Sequence, residues 1–292
     1  MNLSSPVSER TKLEASGNKR KKASWLARKP AALRWQKLME TLPFTPTQKH
    51  GDAPRTQAVA SGYIFRQILR AAQLIMAPGG VYELRVPKAG CLGTLSGYFD
   101  NPEALARAAV GLDGLHPGIY ITLNPCRPEL LARAYNRVVH HAQITTADHD
   151  ILRRRWLLID CDPKRPAGIS SSDHEHARAI TTAYGIWDDL RGAGFPDPVI
   201  TDSGNGAHLL YGIDLPNNQV TTNLVRDVLL GIAARCGPDD IGIDVAVYNA
   251  SRICKLYGTL TCKGDSIPDR PHRRSCLLEV PEQVNPIRLA AQ

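Results

Sequence analysis

The run Trp156-Leu157-Leu158-Ile159 narrows the folds open to this chain more than any other segment. It is bounded by Arg153-Arg154-Arg155 on one side and Asp160-Cys161-Asp162-Pro163 on the other, and it reads as a strand. It is the most apolar strand of the chain. Set among alternating helices and strands, it implies an α/β or α+β domain built in layers.

The flanking sequence supplies those layers. Ile64, Ile68, Leu69, Ala72 and Ile75 recur at helical spacing and stop at Pro78-Gly79-Gly80, after which Val81 to Val86 alternates like a strand. Gly93 to Phe99 reads as a second strand. Asp100 or Asn101 can then cap a helix with Pro102 in its first turn and Leu105, Ala108, Ala109 and Leu112 on one face. Gly118 to Leu123 is a strand, and a short helix is predicted around residues 127–139. Ser172 and Glu175 have capping-box spacing before a helix with the stripe Ala177, Ile180, Tyr184, Trp187 and Leu190, ending near Gly192. Strands follow at 198–203 and 207–213, a helix at about 219–235, strands near 243–249 and 251–257, and a last strand near 274–280. The strands near 243–249 and 251–257 are close enough in sequence to pair with one another. There is no internal repeat, so residues 56–292 form one α/β (α+β) domain with a mixed sheet, in one or two sublobes.

The net charge of +8 belongs to the first 55 residues, where twelve Lys and Arg stand against four Asp and Glu, leaving 24 of each sign in the remainder. This segment contains Lys19-Arg20-Lys21-Lys22 and few apolar residues, the composition of a disordered basic arm that favours a polyanionic partner. A solubilising extension has the same composition. Seven cysteines lie singly with no C-x-x-C pair, which argues against a disulfide framework and a zinc ribbon. With no long apolar run and no leader pattern, the expected location is cytoplasmic, without a membrane partner.

Three constellations carry chemistry. In Asp160-Cys161-Asp162 the two carboxylates lie two apart on a strand, on one face and about 6 to 7 Å apart, a spacing that suits hard divalent ions such as Mg2+ or Mn2+. Solvated carboxylates at a strand end give the same pattern. Ser203-Gly204-Asn205-Gly206-Ala207-His208 reads as a hairpin turning on Asn-Gly, with glycine N–H groups open to an anion and a hydroxyl and an imidazole beside them. It matches neither the Walker nor the dinucleotide pattern, and an ordinary hairpin with an incidental histidine also fits. Finally, Asp244 lies in an apolar stretch ahead of Asn249-Ala250-Ser251-Arg252-Ile253-Cys254-Lys255. Arg252 and Lys255 are three apart, so they converge on one site only through a bend, a bulge or reaching side chains.

The order strand Asp-x-Asp, Ser-Gly-x-Gly-x-His hairpin, strand Asp and Ser-Arg-x-x-Lys resembles the three-motif signature of the archaeo-eukaryotic primase superfamily, in particular the primase-polymerases of phages, plasmids and other mobile genetic elements. The resemblance extends over about residues 80 to 280, through Gly93-Thr-Leu-Ser-Gly-Tyr-Phe-Asp100, Ile119-Tyr-Ile-Thr-Leu-Asn-Pro125, Leu152-Arg-Arg-Arg-Trp156 and Arg165-Pro-Ala-Gly168. It implies a catalytic core made of an α/β sublobe packed on an RNA-recognition-like sublobe. It also implies a template-directed DNA primase or polymerase that uses nucleoside triphosphates, a single-stranded DNA template and two Mg2+ or Mn2+ ions, with a separate helicase as a further partner. Under it Asp160, Asp162 and Asp244 are the catalytic metal carboxylates, Ser203, Gly204 and His208 the phosphate-contacting hairpin, and Arg252 and Lys255 the holders of the triphosphate. No zinc-binding cluster is visible, which departs from larger relatives. Two rival readings are a catalytically silent nucleic-acid-binding module for replication initiation or defence, and a relaxase-like nuclease built on His140-His141.

Overall fold

A computed structural model describes residues 54–287, so the basic arm lies outside the described residues apart from its last two positions. Helix α1 (Pro54–Ile75) leads into strands β1 (Tyr82–Val86) and β2 (Leu95–Phe99), helix α2 (Pro102–Leu112) and strand β3 (Tyr120–Thr122). Then come β4 (Arg153–Pro163), α3 (Asp173–Gly192), β5 (Val199–Asp202), β6 (Ala207–Pro216), α4 (Gln219–Arg235), β7 (Ile241–Ile243) and β8 (Ile253–Lys255). Short strands β9 (Leu260–Thr261), β10 (Arg273–Arg274) and β11 (Cys276–Glu279) complete the fold.

The result is an α+β fold with two principal sheets, ordered β2-β1-β3-β8 and β11-β5-β6-β4-β7, and a small β9-β10 ribbon. Every pair of named strands is antiparallel. β4 lies between β6 and β7, and Trp156 to Ile159 are buried, as an unbroken apolar run in an interior strand requires. α3 packs across β4, β5, β6 and β7, while α1 packs on α2. One continuous apolar core joins α1, α2, α3 and α4 to both sheets.

The capping signals at Asn101 and at Ser172 with Glu175 act as the sequence predicts. Asn101, not Asp100, caps α2, accepting from the N–H groups of Glu103 and Ala104. Ser172 and Glu175 close a reciprocal capping box on α3, and Asn218 caps α4 by accepting from Thr221 N–H.

Three expectations need correction. The helix expected over 127–139 is one 3-10 segment, Pro128–Arg133, because Ala134 leaves the helical region and the chain returns to β2. β7 stops at Ile243, where the strand was expected to run to 249. β7 and β8 also do not pair with one another: β7 lies at the edge of the five-stranded sheet and β8 at the edge of the four-stranded one. Residues 244–252 cross from one sheet to the other. That crossing is anchored by Asp148, which accepts from Ser251 N–H and hydroxyl, and by Arg154, which donates to Tyr248 O.

Candidate active site

Crossing between the sheets creates a cleft of about 300 Å³ lined from both sides. In the β4–β6 ladder Asp160 stands directly opposite His208, and Asp244 N–H donates to Asp160 O at 3.0 Å on the other flank, continuing the β4–β7 ladder past its last strand residue. His208, Asp160 and Asp244 therefore lie side by side across three strands. Asp162, two residues along, joins them at the cleft wall as strand periodicity requires.

The carboxylates differ in environment. Burial raises the Asp160 carboxyl above its ordinary range; the neighbouring Asp162 and Asp244 push it up further, while His208, whose Nε2 lies 3.5 Å from Asp160 Oδ1, pulls it down. Asp162 is held by Arg165 at 3.0 Å, and Asp244 accepts from Ala246 N–H at 2.8 Å. Among the described residues, no three His, Cys, Asp or Glu side chains are gathered closely enough to form a metal-holding group.

The hairpin forms, but its turn is one residue earlier than the sequence predicts. Ser203 N–H donates to Gly206 O, so Gly204 and Asn205 are the central pair, with Gly204 at φ +91°. The glycine N–H groups are not open either: Gly204 N–H donates to Asp202 Oδ1 at 2.6 Å and Gly206 N–H to Ser203 Oγ at 3.0 Å. The glycines act sterically instead. A Cβ on Gly204 would meet Thr261 Oγ1 at 2.6 Å, and one on Gly206 would meet Cys161 O at 2.3 Å, a backbone atom of β4 that cannot move aside. Gly206→Ala is expected to destabilise the fold by about 3 kcal/mol, read as a fall in melting temperature; an unchanged melting temperature would show that the hairpin need not lie this close to β4. Ser203 and His208 both line the cleft, and Gly204 does not.

Arg252 and Lys255 reach the same cleft despite their odd spacing, because Arg252 precedes β8 on the crossing segment and is fixed there by Asn249 Oδ1 and Ala246 O. Lys255 is buried, donates to Leu260 O at 2.8 Å, and is pushed down to about 7, chiefly by desolvation. Among the described residues neither cation has a carboxylate within ion-pair distance. Sequence reading overlooked Lys263, Asn205, Thr261 and Tyr120, which also line the cleft. The one available signal for Lys263 was its period-two relation to Thr261. His140 and His141 are exposed and do not line this cleft.

Fold and site together define an α+β protein with a cleft that carries carboxylates, one imidazole and unpaired cations between two antiparallel sheets. No family model matches the chain, and no curated protein matches it. Among solved structures it is similar to primase RepB', with TM-score 0.45 and 11% identity over 74% of this chain. The match takes in 56% of that chain, so the protein spans about half the length of its structural neighbour.

Proposed function

We propose that the protein is a template-directed DNA primase-polymerase, which transfers a nucleotide from a nucleoside triphosphate to a 3′-hydroxyl on a single-stranded DNA template. The observation that carries this reading is the convergence of Asp160, Asp162, Asp244, His208, Arg252 and Lys255 on one cleft. In the reaction, the 3′-hydroxyl gives up its proton to solvent, its oxygen forms a bond to the α-phosphorus, the bond to the oxygen bridging to the β-phosphate breaks, and pyrophosphate leaves. Arg252, Lys255 and Lys263 bind the phosphate tail, and the Ser203 hydroxyl and His208 ring donate to its oxygens. Positioning and electrostatics are what this reaction asks of a protein.

The donor set fits a hard divalent ion in kind: three carboxylates, all oxygen donors, with Asp160 raised by burial and then by its acidic neighbours, the second of which a cation would relieve. Their side chains would have to draw together, since no closed cluster is present among the described residues. Asp160, Asp162 and Asp244 would hold Mg2+ or Mn2+, which when bound neutralises phosphate charge and lowers the pKa of an attacking hydroxyl.

The deciding assay incubates the pure chain with single-stranded DNA, Mg2+ or Mn2+ and labelled ribo- or deoxynucleotides, with and without a primer. Incorporation supports the reading, and its dependence on a primer separates extension from priming. DNA binding without incorporation under any of these conditions would favour the catalytically silent module instead. A helicase acting beside this chain belongs to the same proposal.

The basic arm enters through the template. Deleting residues 1–53 is expected to weaken single-stranded DNA binding and to flatten its dependence on log salt, because counterion release scales with the phosphates neutralised. Turnover at saturating template is expected to change little. Titrations at several salt concentrations measure this, and an identical slope for both forms would show that the arm does not touch DNA.

A further inference from the structure

His208 approaches the cleft through one ring nitrogen and is held from behind through the other. Its Nδ1 lies 2.8 Å from the hydroxyl of Tyr257, a fully buried residue just past β8, and the two rings meet edge to face at 5.8 Å and 68°. On the cleft side, Nε2 faces Asp160 Oδ1 at 3.5 Å. A hydroxyl that donates to Nδ1 leaves the proton of a neutral imidazole on Nε2, the nitrogen that faces the cleft. In a neutral ring that leaves Nδ1 bare, an acceptor for the Tyr257 hydroxyl. Burial raises that hydroxyl well above the ordinary phenol range, so it keeps its proton; Thr201 and Cys254 also neighbour it, and of these acceptors the bare imidazole nitrogen is the strongest.

We propose that Tyr257 is a positioning residue: by donating to Nδ1 it holds His208 as the Nε2–H tautomer, with that N–H aimed into the cleft as a ready donor to a phosphate oxygen. The assignment of that oxygen to a nucleoside triphosphate rests on the function proposed above, whereas the tautomer does not. Because Tyr257 follows a strand of the four-stranded sheet and His208 belongs to the five-stranded one, this hydrogen bond also ties the two walls together at the site.

The test reads the ring directly. Long-range 15N–1H correlation spectra of the full chain, with His208 identified by comparison with His208→Gln, report which nitrogen is protonated. A protonated Nε2 and a bare Nδ1 are expected in the wild type. In Tyr257→Phe, which keeps the ring and removes the donor, a mixture of tautomers is expected, with nucleotide incorporation falling about tenfold in kcat/KM, the usual scale for one net hydrogen bond. A protonated Nδ1 in the wild type, in either the neutral or the doubly protonated ring, overturns the proposal without reference to any variant. A kinetic loss in Tyr257→Phe with unchanged ring nitrogens gives Tyr257 a packing role and overturns it as well. If the wild type incorporates no nucleotide, the polymerase reading fails while the ring measurement still judges Tyr257.

Discussion

Asp160→Ala and Asp162→Ala are each expected to lower nucleotide incorporation by on the order of 10²–10³-fold while the fold persists, a loss typical of removing one electrostatic contact from a developing charge. Both side chains end at the cleft, so neither substitution removes apolar core. Asp160 is desolvated beside two other acids, and its removal relieves repulsion instead of opening a cavity. Asp162 leaves Arg165 behind, but that guanidinium still donates to the carbonyls of Pro163 and Ile169. Primer extension in Mg2+ and Mn2+, read beside thermal melting with a chelator present, tests both halves. Folded variants that extend primers at the wild-type rate would place the chemistry elsewhere.

Lys255 has the second large effect, and it carries a pH signature. Lys255→Ala is expected to raise the nucleotide KM about tenfold to a hundredfold, the scale of a lost hydrogen bond to a charged group, at constant template affinity. Desolvation brings this lysine down to about 7, against Asp113, which favours the charged form; Arg274 and Lys263 oppose it, Cys262 lies nearby as a thiol raised by burial, and the Tyr120 ring lies 5.9 Å from its Nζ. The charged fraction therefore falls as pH climbs through about 7, and nucleotide affinity falls with it. Lys255→Arg, which stays charged, is expected to flatten that dependence between pH 6.5 and 8.5. If Arg252→Ala or Lys255→Ala instead weakened template binding at constant nucleotide KM, these residues would be contacts to the DNA backbone.

Helices α1 to α4 were legible in the sequence because their signals are local, as where Ser172 with Glu175 fixes the start of α3 through hydrogen bonds within one turn. The Asp160 and Asp162 pair was legible because strand periodicity is independent of context. Which sheet a strand joins is a different kind of information. β7 and β8 are three residues each, too short to fix a partner, and they pair with β4 and β3, far away in the chain. The convergence of Arg252 and Lys255 was hidden for the same reason, since the crossing segment that aims Arg252 takes its shape from Asp148 and Arg154. Tyr257 gave no sign of its contact with His208, 49 residues apart in sequence.

The charges in the cleft are sorted by wall. Asp160, Asp162, Asp244 and His208 come from the five-stranded sheet or its end, whereas Arg252 and Lys255 come from β8 and its approach, and Lys263 follows the β9 ribbon. Acids and cations thus reach the cleft from different sheets, and Lys263 stands near enough to Asp160 to favour its charged form. On the function proposed above, a triphosphate would bridge the two sheets, with Ser203 and His208 reaching its oxygens from one and Arg252 and Lys255 from the other. The spacing between the two sheets then sets the width of that site, which neither sheet forms alone.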